Sequence, residues 1–441
     1  MATPVKKTIS FKIEGGNKLS GTVTTNTAKN SAVSLLCASL LNKGKTVLAK
    51  MPRIEEVNRI LEVLESIGVK VTWKENDLTL IRPKKLLFEN LDIAAAMRTR
   101  SVIMFMGPLI HELKRFELPQ AGGCRLGSRT VRPHFFALEK LGVTIKTLES
   151  SYHIDSGTHK KNQEIILYES GDTVTENALM AAARINGKTT IKFASANYMV
   201  QDLCHFLTAL GVHIDGIGTT TLTIYGKEDI NTDIRFSPGE DPIESMLFLS
   251  IAATTNSSII IKRCPTDFLE LELLKLEKMG FRYKTLKRYV SENGYTNLAD
   301  IKTLPSRLVA LEEKIDARPF PGLNIDNLPF FVPIATQAKG QTLIHDWVYE
   351  NRAIYYLELS KLGADIILAD PHRVYINGPT KFKPAEVICP PALRPAAIIL
   401  IAMLAASGTS VLRNVYSINR GYEDLANRLR KLGVKIKMIR S

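Results

Sequence analysis

The sequence has no CxxC cysteine pair, no HExxH-like histidine pair and no apolar run long enough to cross a bilayer. Its five cysteines, at 37, 124, 204, 264 and 389, are widely scattered. That distribution suits a reducing compartment and argues against a zinc site. The longest apolar stretch, Pro395 to Ser407, falls short of the roughly 20 residues a membrane span needs. The opening segment from Met1 to Lys18 has no apolar run of the signal-peptide kind. A cytoplasmic protein without metal or membrane attachment is expected. Two Gly-Lys-Thr triplets, at 44–46 and 187–189, lack the upstream glycine of a phosphate-binding loop, because Ser39 and Ala182 occupy that position. They read as helix-to-strand turns.

With 45% apolar and 23% charged residues over 441 positions, the chain has the make-up of a soluble globular protein large enough for two or three domains. Its net charge of +14 is spread along the whole length. No arginine-rich tail and no alternating basic–aromatic stripe marks a nucleic-acid surface, so most cations read as solvated faces.

The organising feature is an internal repeat. The phrase Leu-x-x-(Leu/Ile/Met)-Gly recurs six times, ending at Gly68, Gly142, Gly211, Gly280, Gly363 and Gly433, roughly every 70 to 80 residues. A leucine face at helical spacing followed by glycine predicts a helix closed by a left-handed residue, and a β-type run follows each one. Upstream of most phrases lies a second helix of small apolar residues, as at Ala32–Leu41, Ala178–Ala183, Met246–Ala253 and Ala396–Ala406. A helix apolar on nearly every side must be buried on every side. The prediction is six units forming two lobes, 29–238 and 1–28 plus 239–441, each with helices inside and sheets outside. The crossover falls near Ser237-Pro238-Gly239, and a ligand is expected in a cleft between lobes.

Four sets of residues carry chemistry. Gln120-Ala121-Gly122-Gly123-Cys124-Arg125-Leu126-Gly127-Ser128-Arg129 places a thiol on a glycine loop among Arg125, Arg129 and Arg132, surroundings that favour the thiolate. Lys29-Asn30 stands where a strand meets the first buried helix, an arrangement able to hold an anion, although Asn-Ser is also an ordinary helix cap. Asp326 follows the rigid Pro319-Phe320-Pro321-Gly322 segment and is either a helix cap or a general base. Arg100, Arg352, Arg394 and Arg420 stand at helix entrances or loops and together are able to bind a polyanion.

These residues resemble the enolpyruvyl transferases, in particular the UDP-N-acetylglucosamine 1-carboxyvinyltransferase family of peptidoglycan synthesis, related in fold to 5-enolpyruvylshikimate-3-phosphate synthase. The resemblance runs from Gly15–Gly21 through Ala28-Lys29-Asn30, Met106–Leu109, Gly122-Gly123-Cys124 and Glu350-Asn351-Arg352 to Arg420–Glu423. It implies an α/β fold, a two-lobed inside-out α/β barrel of six βαβαββ-type repeats. It further implies transfer of the enolpyruvyl group of phosphoenolpyruvate to the 3-hydroxyl of UDP-N-acetylglucosamine, with no cofactor and no metal. By the same resemblance Cys124 is the general acid and Asp326 the base. Lys29, Asn30, Arg129, Arg352, Arg394 and Arg420 hold phosphoenolpyruvate. Arg100, Arg129, Thr130, Val131, Arg132, Pro133, Asp326 and Val348 hold the UDP-sugar. The protein is expected to be a monomer or weak homo-oligomer that binds no nucleic acid.

The chain departs from the family pattern at two places. Arg129-Thr130-Val131-Arg132-Pro133 replaces the usual Arg-Pro-Val-Asp, putting a cation where the family keeps a carboxylate for uracil. Gly171-Asp172-Thr173-Val174-Thr175 replaces Ser-Val-Gly-Ala-Thr, adding a carboxylate where the family contacts diphosphate. Another nucleotide or phosphorylated sugar is therefore an alternative acceptor. A basic RNA-end-processing protein of similar repeat architecture is the alternative of another class, and it leaves Cys124 and Lys29-Asn30 unexplained.

Overall fold

The computed structural model describes residues 8–120 and 130–440. Cys124 and Arg129 lie outside the described residues. The chain divides into two compact units: 27–120 with 130–239, and 8–26 with 240–440.

All six repeat glycines take the left-handed conformation, with φ from +83° to +96°. Each glycine N–H bonds the carbonyl three residues back at 2.8–3.0 Å, and the next N–H reaches five residues back at 2.9–3.4 Å. This double closure satisfies the last carbonyls of each helix, and only glycine adopts that φ without strain. Five of the closed elements are α-helices: Glu55–Ser66, Arg132–Lys140, Tyr198–Ala209, Glu270–Lys278 and Leu425–Lys431. The other, Ala353–Leu362, is wound as a 3₁₀ helix.

The small-residue helices are interior, as their composition requires. Every residue of Pro242–Thr254 is buried, and so is nearly all of Leu393–Ala405. Both pack on the short helix Phe331–Ala335 within their unit. In the other unit Lys29–Ala38 and Met106–Leu109 both pack on the buried helix Asp172–Ala182. Gly107 permits that packing: a Cβ there would stand 2.6 Å from the Asn177 carbonyl oxygen.

Three sheets belong to each unit, and five of the six share one pattern, a parallel edge pair followed by two antiparallel pairs. In one, Glu164–Ile166 runs parallel to Gly187–Lys192, which pairs antiparallel with Thr221–Gly226 and then His213–Asp215. Thr189 and Ile191 face the core while Lys188 and Lys192 face solvent, the alternation a one-sided sheet requires. Three sheets borrow strands distant in sequence. Ile234–Phe236 completes the sheet of Thr46–Leu48, and Ser20–Thr24 completes that of Ser258–Cys264. Ile9–Gly15 lies between Gly408–Arg413 and Lys435–Arg440. The second repeat departs from the pattern. Its sheet has three strands, and its inner helix is reduced to a 3₁₀ stretch, Arg100–Phe105, leading into Met106–Leu109.

Among the described residues no helix is long and apolar enough to cross a membrane.

Candidate active site

In the unit holding 240–440, a small set of buried polar groups fixes Asp326. The loop before it is tied down by Glu272, whose carboxylate accepts the Asn324 N–H at 3.0 Å and the Asn327 side-chain amide at 2.8 Å. Burial pushes the Glu272 carboxyl up, and these hydrogen bonds pull part of the way back. The Asn324 side chain accepts the Asp326 N–H at 2.8 Å, an Asx turn that holds the aspartate backbone. Asp326 does not cap the following helix, which has Asn327 at its cap position and no side-chain cap bond. Its carboxylate faces two guanidiniums instead: Arg394 Nη2 at 3.2 Å and Arg352 Nη1 at 3.9 Å. The carboxylate is about a quarter exposed, at 23%, while the arginine side chains are 7% and 1% exposed. One reachable carboxylate thus stands against two desolvated cations.

Each arginine is braced from behind. Arg352 donates through Nε and Nη2 to Asp346 at 2.6 and 2.8 Å and through Nη2 to the Ile325 carbonyl at 2.8 Å. Its carbon lies 4.3 Å from the Tyr349 ring centroid. Tyr356 donates its hydroxyl to Asp346 at 2.5 Å. Burial, and then the Asp346 carboxylate, push Tyr356 well up, so it stays a donor. Arg394 donates to the Tyr422 hydroxyl at 2.7 Å, and burial likewise pushes Tyr422 up. Gly421 permits this approach, since a Cβ there would meet Leu393 Cδ2 at 2.2 Å. The close contact sets Arg420, the residue before it, beside the segment that carries Arg394. Val348 lies on an exposed bend.

In the other unit, helix Lys29–Ala38 begins without a side-chain cap and without an acidic residue in its first turn. Its positive end is therefore not offset by its own sequence. Asn30 is not the cap, a position held by Ala28; its amide donates to the Tyr198 hydroxyl at 3.1 Å. Arg100 and Val131 line a cavity of about 220 Å³ with Gln120 and Tyr152. Buried His134 is pushed down to about 3, first by desolvation and then by Arg100. Asn177 ties this region together. Its amide donates to His134 Nδ1 at 3.2 Å and to the Ile103 carbonyl at 3.1 Å, and its oxygen accepts the Gly107 N–H at 2.7 Å. His134 Nδ1 is therefore the acceptor of a neutral ring.

The two departures have local partners. Arg132 is exposed, with its guanidinium 5.4 Å from the centroid of the Phe136 ring one helical turn on. Thr130 accepts the Arg132 N–H at 3.2 Å, and Pro133 stands in the first turn of the helix. The Asp172 carboxylate accepts from Ser195 Oγ at 2.6 Å and from the Asn197 amide at 3.3 Å. The four described cysteines are free and buried. Among the described residues no group of histidine, cysteine or acidic side chains is placed to hold a metal.

The structure brings together Asp326, Arg352 and Arg394, and separately Arg100 and Val131. Asp346, Tyr356 and Glu272 have no motif or spacing in the sequence that marks them as partners of this site. Tyr422 lies inside the Arg-Gly-Tyr-Glu motif, and its pairing with Arg394 has no sequence signal.

The family model for EPSP synthase (3-phosphoshikimate 1-carboxyvinyltransferase) matches residues 13–429. A UDP-N-acetylglucosamine 1-carboxyvinyltransferase of Borreliella burgdorferi is 32% identical, over 98% of this chain and 99% of its own. One of Campylobacter jejuni is 34% identical, over 97% and 98%. The fold is shared with the enolpyruvyl transferase NikO from Streptomyces tendae, with a TM-score of 0.82 at 22% identity over 99% of this chain and all of that one. With repeat-built sheets and interior helices in each unit and a family match over residues 13–429, the chain belongs to the EPSP synthase family of enolpyruvyl transferases.

Proposed function

We propose that this protein transfers the enolpyruvyl group of phosphoenolpyruvate to the 3-hydroxyl of UDP-N-acetylglucosamine, releasing phosphate, as a step of peptidoglycan synthesis. The observation that carries the reading is Asp326, a partly exposed carboxylate held against buried Arg394 and Arg352. Full-length relatives named UDP-N-acetylglucosamine 1-carboxyvinyltransferase support it. In the reaction the acceptor hydroxyl attacks C2 of phosphoenolpyruvate, and Asp326 takes the hydroxyl proton. Cys124 delivers a proton to C3, giving a tetrahedral ketal. Loss of a C3 proton and of inorganic phosphate then leaves the enol ether. Phosphoenolpyruvate is a small polyanion, and arginines already desolvated by the fold bind such a charge more strongly than exposed ones do. Arg352 and Arg394 take its carboxylate end, while Lys29 with Asn30, Arg129 and Arg420 take its phosphate. Arg100, Thr130, Val131, Arg132, Pro133 and Val348 are assigned to the UDP-sugar.

Arg132 favours a second reading, a different nucleotide or phosphorylated sugar as acceptor. A guanidinium only donates hydrogen bonds, whereas a carboxylate only accepts them. A ring N–H that a carboxylate would take finds no partner at Arg132. An acceptor screen decides: phosphate release is measured with phosphoenolpyruvate and UDP-N-acetylglucosamine, other UDP-sugars, nucleoside phosphates or shikimate 3-phosphate. The highest kcat/KM with UDP-N-acetylglucosamine supports the first reading, and a higher value with another acceptor supports the second. Asp326→Asn is expected to lower kcat by roughly 10²–10⁴-fold with any acceptor, the usual worth of a positioned general base. Unchanged kcat in that variant would remove the role given to Asp326.

A further inference from the structure

We propose that Asp346 is a positioning residue of the transfer reaction: it aims one edge of Arg352 at the site and cancels the charge that Arg352 would otherwise impose on Asp326. The inference rests on the roles just given to Asp326 and Arg352.

The geometry leaves Arg352 one open edge. Nε and Nη2 are taken by Asp346 and the Ile325 carbonyl, and the Tyr349 ring covers a face. Nη1 makes no hydrogen bond among the described residues, and Asp326 lies 3.9 Å from it. With the guanidinium plane fixed by two bonds to one carboxylate, the Nη1 edge cannot turn away. An oxygen of a substrate carboxylate arriving there finds donors already oriented, without the ordering that a mobile arginine undergoes.

The charge balance points the same way. Asp326 faces Arg352 from the residue before the 3₁₀ helix and Arg394 from the long buried helix, with Asn324 on its own loop and Glu272 beneath that loop. Arg394 is met by the neutral Tyr422 hydroxyl and lies in the field of Asp241. Arg352 is met by Asp346 and the Tyr349 ring, Tyr356 donates to Asp346, and the His372 ring meets the Asp346 carbonyl rather than its carboxylate. Two uncompensated cations would make Asp326 too weak a base to take a hydroxyl proton. Asp346, fully buried and bonded on both oxygens, removes one of them. Stability alone is a weak reason to keep such a pair, because well-packed apolar side chains often serve a protein interior as well as a buried salt bridge.

The test measures phosphate release by the full-length enzyme across pH for Asp346→Asn, Asp346→Glu and Tyr356→Phe. Asp346→Asn is expected to raise KM for phosphoenolpyruvate about tenfold or more. It should also move the acid limb of the kcat/KM profile down by about one pH unit. Asp346→Glu keeps the counter-charge, so its limb stays in place while KM rises. Tyr356→Phe leaves the ion pair intact, so its limb is also unmoved. A folded Asp346→Asn enzyme with unchanged KM and limb would overturn the proposal. If that variant does not fold, an unchanged KM in Asp346→Glu overturns it instead. A limb displaced as far in Asp346→Glu as in Asp346→Asn would overturn the charge argument. No turnover by the unsubstituted protein with any acceptor would remove the underlying reading of the site.

Discussion

Glu176 offers a sharp test of how the interior is built. It sits in the inner helix Asp172–Ala182, 2% exposed, and one of its carboxyl oxygens has no hydrogen-bond partner. Burial holds its carboxyl well above the ordinary value of 4.5; Asp172 and Asp202 add to the shift, and a hydrogen bond from Ser34 opposes it. The folded protein therefore keeps a proton that the unfolded chain loses above the ordinary value. Over that window stability falls as pH rises, by about 1.4 kcal/mol per pH unit for this one group. Glu176→Gln preserves shape and has no proton to lose, so its advantage over the parent should grow as pH rises from 5 to 7. The chain has two tryptophans, Trp73 in the unit with Glu176 and Trp347 in the other. In a Trp347→Phe background, Trp73 fluorescence followed through urea unfolding reports the relevant unit alone. A Gln-minus-Glu stability difference equal at pH 5 and pH 7 would refute the claim that the buried carboxyl is protonated.

Two further substitutions probe the site. Arg394→Lys keeps the charge but loses the fork that spans Asp326 and Tyr422. Charge-assisted bonds contribute about 1.5–3 kcal/mol each, so KM for phosphoenolpyruvate should rise roughly 10–100-fold in steady-state phosphate release. Gly421→Ala introduces a Cβ 2.2 Å from Leu393 Cδ2. Thermal denaturation should record a loss of about 1–3 kcal/mol, and KM for phosphoenolpyruvate should rise as the Arg394 segment shifts. An unaltered KM would detach Gly421 from the site.

The repeat was legible in sequence because its signal is conformational. A glycine forced to positive φ at Gly68 or Gly433 leaves no alternative residue, so the phrase marks each helix end. The interior helices were legible for the complementary reason, since Leu393–Ala405 has no polar face to show to water. The sequence assigns 1–28 to the lobe of 239–441, but the particular strands it pairs with were not legible. Nothing local in Ile9–Gly15 says that it lies between strands some 400 residues away, because pairing is decided by the completed layer rather than by the segment. At the site, the sequence left Asp326 divided between helix cap and base. The structure removes the cap reading, because Asn327 holds the cap position, and it sets the Asp326 carboxylate against Arg352 of the same repeat and Arg394 of the next. Asp346 gave no signal at all. An aspartate at the end of a strand usually belongs to a turn, and only the packed structure sets it behind Arg352. Cys124 was the clearest sequence feature of all, and it lies outside the described residues.

Carboxyvinyl transfer by this chain can be observed on the transferred carbons themselves. Its most direct test is to incubate the protein with phosphoenolpyruvate labelled at C2 and UDP-N-acetylglucosamine, following the label by NMR alongside free phosphate. An enol ether on the sugar and free phosphate are expected in equal amounts, neither forming without the sugar. Phosphate released without the ether, or no change in the label with any acceptor, would contradict it.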